Sequence, residues 1–207
     1  MGNAHQLFQP LCLTVYLGGR CQLDCCYCYA RNDRPQESDF NFQAFQNALA
    51  FVAHNCRIHG VPVILVFHGA NEPLLYKKNI DFLIEVAQQE LSRSNLELFL
   101  ACTTNGVAPL SVIEWALMAF DHITLSWDGP SKIQDNNRPF KNGKGSSRML
   151  ERTADVLKGG KCLVSARATV TRDYCRNLHE IVEYFHQQGI PRVVFSQYIR
   201  IVVLFFS

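Results

Sequence analysis

Three cysteines close to the N-terminus are the residues of this chain whose type and spacing best suit chemistry. Cys21, Cys25 and Cys28 form the pattern C-x3-C-x2-C directly after the apolar run Leu11–Leu17. A four-iron cluster is held by four thiolates, and a closed structural zinc site by four nitrogen or sulfur ligands. Three thiolates on one loop therefore leave one coordination position open, as is typical of a metal centre that takes part in a reaction.

The remaining six cysteines fit other roles. Cys26 stands inside the same run and could replace Cys25 in another register, but we interpret it as a bystander. A disulfide scaffold is disfavoured because nine cysteines is an odd number and the chain is neither short nor secretory. The other five cysteines are scattered, mostly in apolar stretches where cysteine acts as a small buried side chain: Cys12, Cys56, Cys102, Cys162 and Cys175.

The composition predicts a compact protein of one domain or a little more. The chain has 207 residues, of which 48% are hydrophobic and 18% charged, with a formal net charge of +2. Without a basic run, nucleic acid and anionic membranes are disfavoured as partners. The first ten residues do not resemble a signal peptide, and no apolar run approaches the ~20 residues of a bilayer span. The unpaired thiols then favour the reducing cytoplasm.

Strand-like and helix-like segments alternate along the chain and predict an α/β fold with a parallel sheet. The third helix begins with the capping-box pattern Ser111-x-x-Glu114, and a long polar loop runs from the fourth strand to about Gly145. This alternation fits an open doubly wound sheet and a partial barrel equally. The predicted strands are Leu11–Leu17, Val61–Phe67, Leu96–Cys102, His122–Ser126, Cys162–Val170 and Arg192–Gln197. The predicted helices are Phe40–His59, Ile80–Leu91, Ser111–Ala119, Ser147–Leu157 and Leu178–Gln188.

Unusual polar segments follow four of the predicted strands. After the cysteine loop come His68–Pro73, Thr103–Gly106 and Ser126–Pro130, each at the end of a strand. Alone, each segment is ordinary turn chemistry. In both candidate architectures, however, functional groups gather at the carboxyl ends of the strands. We therefore expect the four segments to meet at the mouth of one site.

These residues resemble the radical S-adenosylmethionine (radical SAM) enzymes, in particular the barrel of the anaerobic sulfatase-maturating and SPASM-type peptide-modifying branch. The cysteine motif with Tyr27 before its last cysteine is the strongest part of the resemblance, which covers about residues 8–197. Weaker segments occur in the right order: Asn-Glu-Pro-Leu-Leu after strand two, Thr-Thr-Asn-Gly after strand three, Leu-Ser-Trp-Asp-Gly-Pro at strand four and Arg-Ala-Thr-Val-Thr in strand five.

The resemblance implies a partial (β/α)6 TIM-like barrel that ends after strand six and carries a [4Fe-4S] cluster and S-adenosylmethionine (SAM). Cys21, Cys25 and Cys28 would bind the cluster, and Tyr27 would lie against the adenine. The segment Gly69, Ala70, Asn71 and Glu72 would hold the methionine amino group, although the family usually has Gly-Gly-Glu-Pro there. Ser126 and Arg138 would contact the ribose and carboxylate ends of SAM, because a guanidinium group matches a carboxylate.

The leading functional hypothesis is a radical SAM oxidoreductase that modifies a protein or peptide side chain, as sulfatase maturases do, with a flavodoxin- or ferredoxin-like electron donor. One alternative is a truncated iron–sulfur-binding remnant without turnover. Another is a zinc-binding interaction module built from Cys21, Cys25 or Cys26, Cys28 and His68. We expect residues 1–207 to form one core domain with an atypical apolar tail at 198–207 and no C-terminal auxiliary-cluster domain.

Overall fold

Six parallel strands form one sheet in the computed structural model, which describes residues 8–31, 40–69 and 71–197. Each strand pairs with the next strand along the chain, so the order in the sheet is the order in the sequence. A doubly wound sheet would reverse direction at a switch point. Right-handed crossovers that always advance the same way instead place the helices on one face. The strands are β1 (Cys12–Val15), β2 (Val63–Phe67), β3 (Leu98–Thr104), β4 (His122–Ser126), β5 (Leu163–Val170) and β6 (Val193–Gln197).

Six α-helices and one 3-10 turn connect the strands within the described residues, and the α/β fold class of a partial TIM-like barrel is confirmed. The predicted apolar tail 198–207 lies outside the described residues. None of the helices that the structure describes has the length and apolar character needed to cross a bilayer. The helices are α1 (Phe42–His59), α2 (Lys77–Ser92), α3 (Leu110–Ala119), α4 (Ser131–Asn137), α5 (Ser147–Lys158) and α6 (Leu178–Gln187), with the 3-10 turn at Pro73–Tyr76.

Two local predictions were wrong. The polar loop expected up to Gly145 contains α4, whose buried residues include Gln134 and Asn137 besides one apolar side chain. A pattern search that counts apolar residues cannot find a helix whose buried face is largely polar. The capping box at Ser111 is also absent, because α3 begins one residue earlier with Pro109 at its N-cap and no side-chain capping bond. The proline fixes φ at −57° there.

The alternation of side chains along each strand separates the core from the site. In β2, Val63, Leu65 and Phe67 are fully buried in the hydrophobic core, whereas the residues between them are only partly buried. Successive side chains of a strand point to opposite faces. Thr103 in β3 and Ser126 in β4 belong to the partly buried set. The face of the sheet that points away from the hydrophobic core can therefore present polar side chains to a ligand.

Candidate functional site

A cavity of about 540 Å³ lies at the carboxyl ends of the strands and is lined by residues from the segments that the sequence singled out. The expectation that these segments meet at one mouth is thus fulfilled by the cysteine loop, by the turns after β2 and β3, and by Ser126 at the end of β4. Ala70 lies outside the described residues. The other predicted site residues all line the cavity: Cys21, Cys25, Cys28, Tyr27, Gly69, Asn71, Glu72, Ser126 and Arg138.

The cysteine loop is held in place by backbone hydrogen bonds to the last residue of α4 and to the segment that follows it. The N–H of Asp24 donates to the Pro139 carbonyl at 2.8 Å, and the N–H of Cys26 donates to the Asn137 carbonyl at 2.9 Å. The Cys26 side chain is exposed and is not among the described residues that line the cavity, in keeping with a bystander. These two bonds hold the backbone of the loop against the end of α4.

The three cysteine thiols lie on the wall of the cavity. All three are partly buried on the cavity wall, and burial raises the pKa of Cys25 to about 12, although Arg138 nearby lowers it. Metal binding therefore has to displace a proton from that thiol. The described residues contain no group of three or more His, Cys, Asp or Glu side chains arranged around one ion. In a cluster each thiolate binds a different iron, so the zinc alternative gains no support.

Unsatisfied polar atoms in the cavity wall fit a polar cofactor. Both side-chain amide atoms of Asn71 are buried without a hydrogen-bond partner among the described residues, and so is Nε of Arg138. Buried polar groups in folded proteins are nearly always paired, and each exception calls for an explanation. Asn71 offers a donor and an acceptor, and Arg138 offers a charged donor. An amino acid carboxylate and amine, as in the methionine part of SAM, would satisfy these groups.

The Glu72 carboxylate joins two of the loops that form the site. It is 1% exposed and accepts hydrogen bonds from Oγ1 of Thr104 at 2.5 Å, the Asn105 N–H at 2.6 Å and the Leu74 N–H at 3.1 Å. Burial raises the pKa of Glu72 to about 7, against the effect of these three bonds. Three internal donors leave the Glu72 carboxylate about one unused acceptor site, whereas both side-chain amide atoms of Asn71 are without a partner among the described residues.

The raised pKa of Glu72 predicts a pH-dependent stability. Below about pH 4.5 the carboxyl group is neutral in both the folded and unfolded chain, and as pH rises toward 7 the unfolded chain ionises first. This group therefore lowers the free energy of unfolding across that window, by on the order of 3 kcal/mol. We expect the melting temperature of Glu72→Gln to fall less than that of the parent between pH 5 and 8. Equal slopes in both, or the same change in the exposed Glu85→Gln control, would contradict this.

Arg138 lies in a buried ion pair. It is 8% exposed, its NH2 donates to Oδ1 of Asp128 at 3.1 Å, and its guanidinium carbon lies 5.2 Å from the centre of the Tyr27 ring. Burial alone would lower the pKa of Arg138, but the Asp128 carboxylate raises it and keeps the group charged. The Tyr27 hydroxyl donates to the same carboxylate at 2.5 Å, and burial raises the pKa of Tyr27.

Sequence reasoning did not assign several residues of the site. Asp128 stands in an Asp-Gly-Pro sequence that is ordinary turn chemistry, and nothing in the sequence shows its buried partners. Arg167 and Thr169 line the cavity from alternate positions of β5, and Arg167 pairs in register with Ser126 of β4. Polar residues two apart in an otherwise apolar strand are the signal that could have found them.

Comparison with known proteins identifies a family and several relatives. The family described as the Radical SAM superfamily matches residues 15–204. An uncharacterized protein of Methanocaldococcus jannaschii is 27% identical over 185 residues, which are 89% of this chain and 61% of that protein. A cysteine-type anaerobic sulfatase-maturating enzyme of Clostridium perfringens is 23% identical over 90% of this chain and 51% of that enzyme. The chain thus spans between half and two thirds of the length of these relatives.

Solved structures share the fold. That of anSMEcpe with bound AdoMet has a TM-score of 0.77 and 22% identity, over 91% of this chain and 49% of that one. SuiB of Streptococcus suis bound to S-adenosylmethionine gives a TM-score of 0.67 with 18% identity, over 93% of this chain and 41% of that one. A [4Fe-4S] cluster and SAM are the cofactors of the family that these comparisons indicate. Since the family match extends over almost all of its residues, the chain belongs to the radical SAM superfamily.

Proposed function

We propose that the chain is the core of a radical SAM oxidoreductase that acts on a side chain of a protein or peptide. The observation that carries this proposal is the convergence of three cysteine side chains and an unpaired buried amide on one cavity. The chemistry that the two cofactors supply when bound is reductive cleavage of SAM to methionine and a 5′-deoxyadenosyl radical, which abstracts hydrogen from the substrate. The protein positions and shields the cofactors.

The residues on the cavity wall divide between the two cofactors. Cys21, Cys25 and Cys28 would hold the cluster. For SAM, the Gly69–Glu72 segment would bind the methionine amino group, with Asn71 as its unpaired side chain. Arg138 and Ser126 would bind the carboxylate and ribose ends, and the Tyr27 ring would lie against the adenine. Nε of Arg138 is the atom that supports this assignment, because it remains without a partner among the described residues despite the ion pair with Asp128.

A peptide substrate is supported by the relatives. The anSMEcpe enzyme has been solved with AdoMet and the Cp18Cys peptide, and Clostridium perfringens sulfatase-maturating enzymes match 90% of this chain. The exposed side chain of Tyr29, 79% accessible, lies on the wall of the same cavity and offers an apolar surface to an incoming chain. The reaction would need an external flavodoxin- or ferredoxin-like electron donor. Nine cysteines that form no disulfide suit such a reducing environment, and we propose that the protein works in the cytoplasm.

Anaerobic reconstitution tests this function. The protein should bind about four irons per chain with broad visible absorbance and, with a strong reductant, convert SAM to 5′-deoxyadenosine. Adding the Cp18Cys or Kp18Cys peptide, followed by mass spectrometry, tests for peptide modification. A colourless, iron-poor protein would refute the proposal. A cluster that forms without any 5′-deoxyadenosine would favour the alternative of a non-catalytic iron–sulfur remnant.

The unpaired amide of Asn71 gives a second test. Asn71→Ala removes a donor and an acceptor that have no partner within the described protein, so the fold should keep its stability. If SAM uses the amide, losing one or two hydrogen bonds to charged groups should weaken SAM binding by about 10- to 100-fold. Equilibrium dialysis against radiolabelled SAM measures this directly. The exposed Asn47→Ala is the control, and equal affinity in both variants would exclude Asn71 as a SAM ligand.

A further inference from the structure

One buried carboxylate accepts hydrogen bonds from three of the elements that form the site. Asp128 follows β4 and is 1% exposed. Its Oδ1 accepts from NH2 of Arg138 at 3.1 Å and from the Thr169 N–H at 2.8 Å. Its Oδ2 accepts from the Tyr27 hydroxyl at 2.5 Å and from Nδ2 of Asn137 at 3.1 Å. Four donors on two oxygens use the full acceptor capacity of a carboxylate.

These donors belong to three separate elements that form the cavity. Tyr27 lies between two of the proposed cluster ligands, Asn137 and Arg138 lie at the end of α4, and Thr169 is in β5. The backbone N–H of Asp128 in turn donates to Oε1 of Gln134 in α4 at 2.9 Å. A turn that only reversed the chain would not need a carboxylate at this position.

The cysteine loop packs directly on the segment that Asp128 anchors. The Cys26 N–H donates to the carbonyl of Asn137, the Asp24 N–H donates to the carbonyl of Pro139, and Leu23 forms an antiparallel bridge with Phe140. Asp128 is thus connected to the loop by two routes. It bonds directly to the Tyr27 side chain, and it bonds to the end of α4, which in turn bonds to the loop. The same carboxylate fixes the Arg138 guanidinium, whose NH2 also reaches Oγ1 of Thr169 at 3.4 Å.

We propose that Asp128 is a positioning residue for the SAM site. Its carboxylate holds Tyr27 and Arg138, so that the cluster loop and the buried cation face the cofactor in a fixed arrangement. This inference rests on the proposed function. Asp128 itself has no free acceptor for SAM, and it acts through the two side chains that it holds. The carboxylate also neutralises Arg138, because a buried cation without a counter-ion is strongly disfavoured.

The isosteric variant Asp128→Asn tests this proposal in the anaerobically reconstituted full chain. An amide replaces one acceptor oxygen by a donor, so two of the four donors lose their partner. We expect iron content to be retained and the affinity for SAM to fall by about 10- to 100-fold. SAM binding is followed by titrating the electron paramagnetic resonance signal of the reduced cluster, whose shift on SAM addition reports the arrangement of the site independently of turnover.

Asp135→Asn is the matched control. Asp135 lies in the same helix α4, and its carboxylate accepts from the N–H and hydroxyl of Ser147 at 2.7 and 2.9 Å without touching Tyr27 or Arg138. Replacing a carboxylate that has only a structural role lowers the stability of the protein without changing its affinity for SAM. This is the result expected for Asp135→Asn. If Asp128→Asn behaves like this control, or loses iron and SAM binding together, the proposal is overturned.

Tyr27→Phe keeps the test decisive if Asp128→Asn does not fold. This variant removes one donor from Asp128 and leaves the ion pair intact, so we expect normal iron content and a three- to tenfold weaker affinity for SAM, corresponding to about one hydrogen bond. Unchanged affinity would overturn the proposal. Failure of the parent protein to bind iron would refute the proposed function instead, which separates the two results.

Discussion

A chain in which Cys21, Cys25 and Cys28 are all replaced by alanine is expected to bind no iron and to form no 5′-deoxyadenosine. The three thiols are the cysteines of the described chain that line the cavity. Iron and sulfide analysis, visible absorbance and chromatographic detection of 5′-deoxyadenosine measure the loss. The effect should be complete, because a cluster needs several thiolate ligands and Cys26, the one thiol left in this loop, cannot hold it alone.

The matched control removes the same number of thiols elsewhere. Cys12, Cys26 and Cys175 are all exposed, and none of them lines the cavity. The variant with alanine at these three positions should retain the iron and the cleavage of SAM. It also tests Cys26 as an alternative ligand, since loss of iron here would assign the cluster to the other register. Iron that survives replacement of Cys21, Cys25 and Cys28 would end the interpretation on which the proposed function depends.

The strands could be predicted from the sequence because parallel strands covered by helices read as short apolar runs. Each of the six strands lies within or next to its predicted run; β3, for example, begins at Leu98 instead of Leu96 and extends to Thr104. The C-terminal end differs because Thr103 and Thr104 continue the strand with polar side chains. A prediction from apolar residues therefore ends the strand too early. Strand order needed the structure, since periodicity carries no information on which strands are neighbours.

The candidate site likewise contains residues that the sequence predicts and residues that only the structure identifies. The cysteine spacing and the strand-end segments identified most of the cavity wall, because metal ligands and turn residues are recognisable by type and position. Asp128 and the unpaired amide of Asn71 were different cases: the first has the sequence of a turn, and the second is informative only through the absence of a partner. Burial and partners are properties of the tertiary structure. A single sequence does not contain them in readable form.

Gly69→Ala is expected to damage the SAM site while leaving the cluster in place. Gly69 lines the cavity with φ of +151°, a conformation that residues with a side chain rarely adopt. A Cβ atom at this position would lie 2.0 Å from Cδ2 of the Tyr16 ring. Normal contact between carbon atoms is about 3.5–4.0 Å, so the loop or the ring has to move by about 1.5 Å. Strain and overpacking together should cost about 2–5 kcal/mol.

Gly60→Ala separates the clash from the backbone strain. Gly60 ends α1 with φ of +63°, and nothing lies within 4 Å of the Cβ position. We expect this control to lose about 1 kcal/mol of stability and to bind SAM normally. In Gly69→Ala, the displaced wall should weaken SAM binding at least tenfold, measured by equilibrium dialysis on protein of equal iron content. If Gly69→Ala binds SAM as well as Gly60→Ala does, the Gly69–Glu72 segment does not contact the cofactor, and the methionine end of SAM must be held by other residues of the cavity.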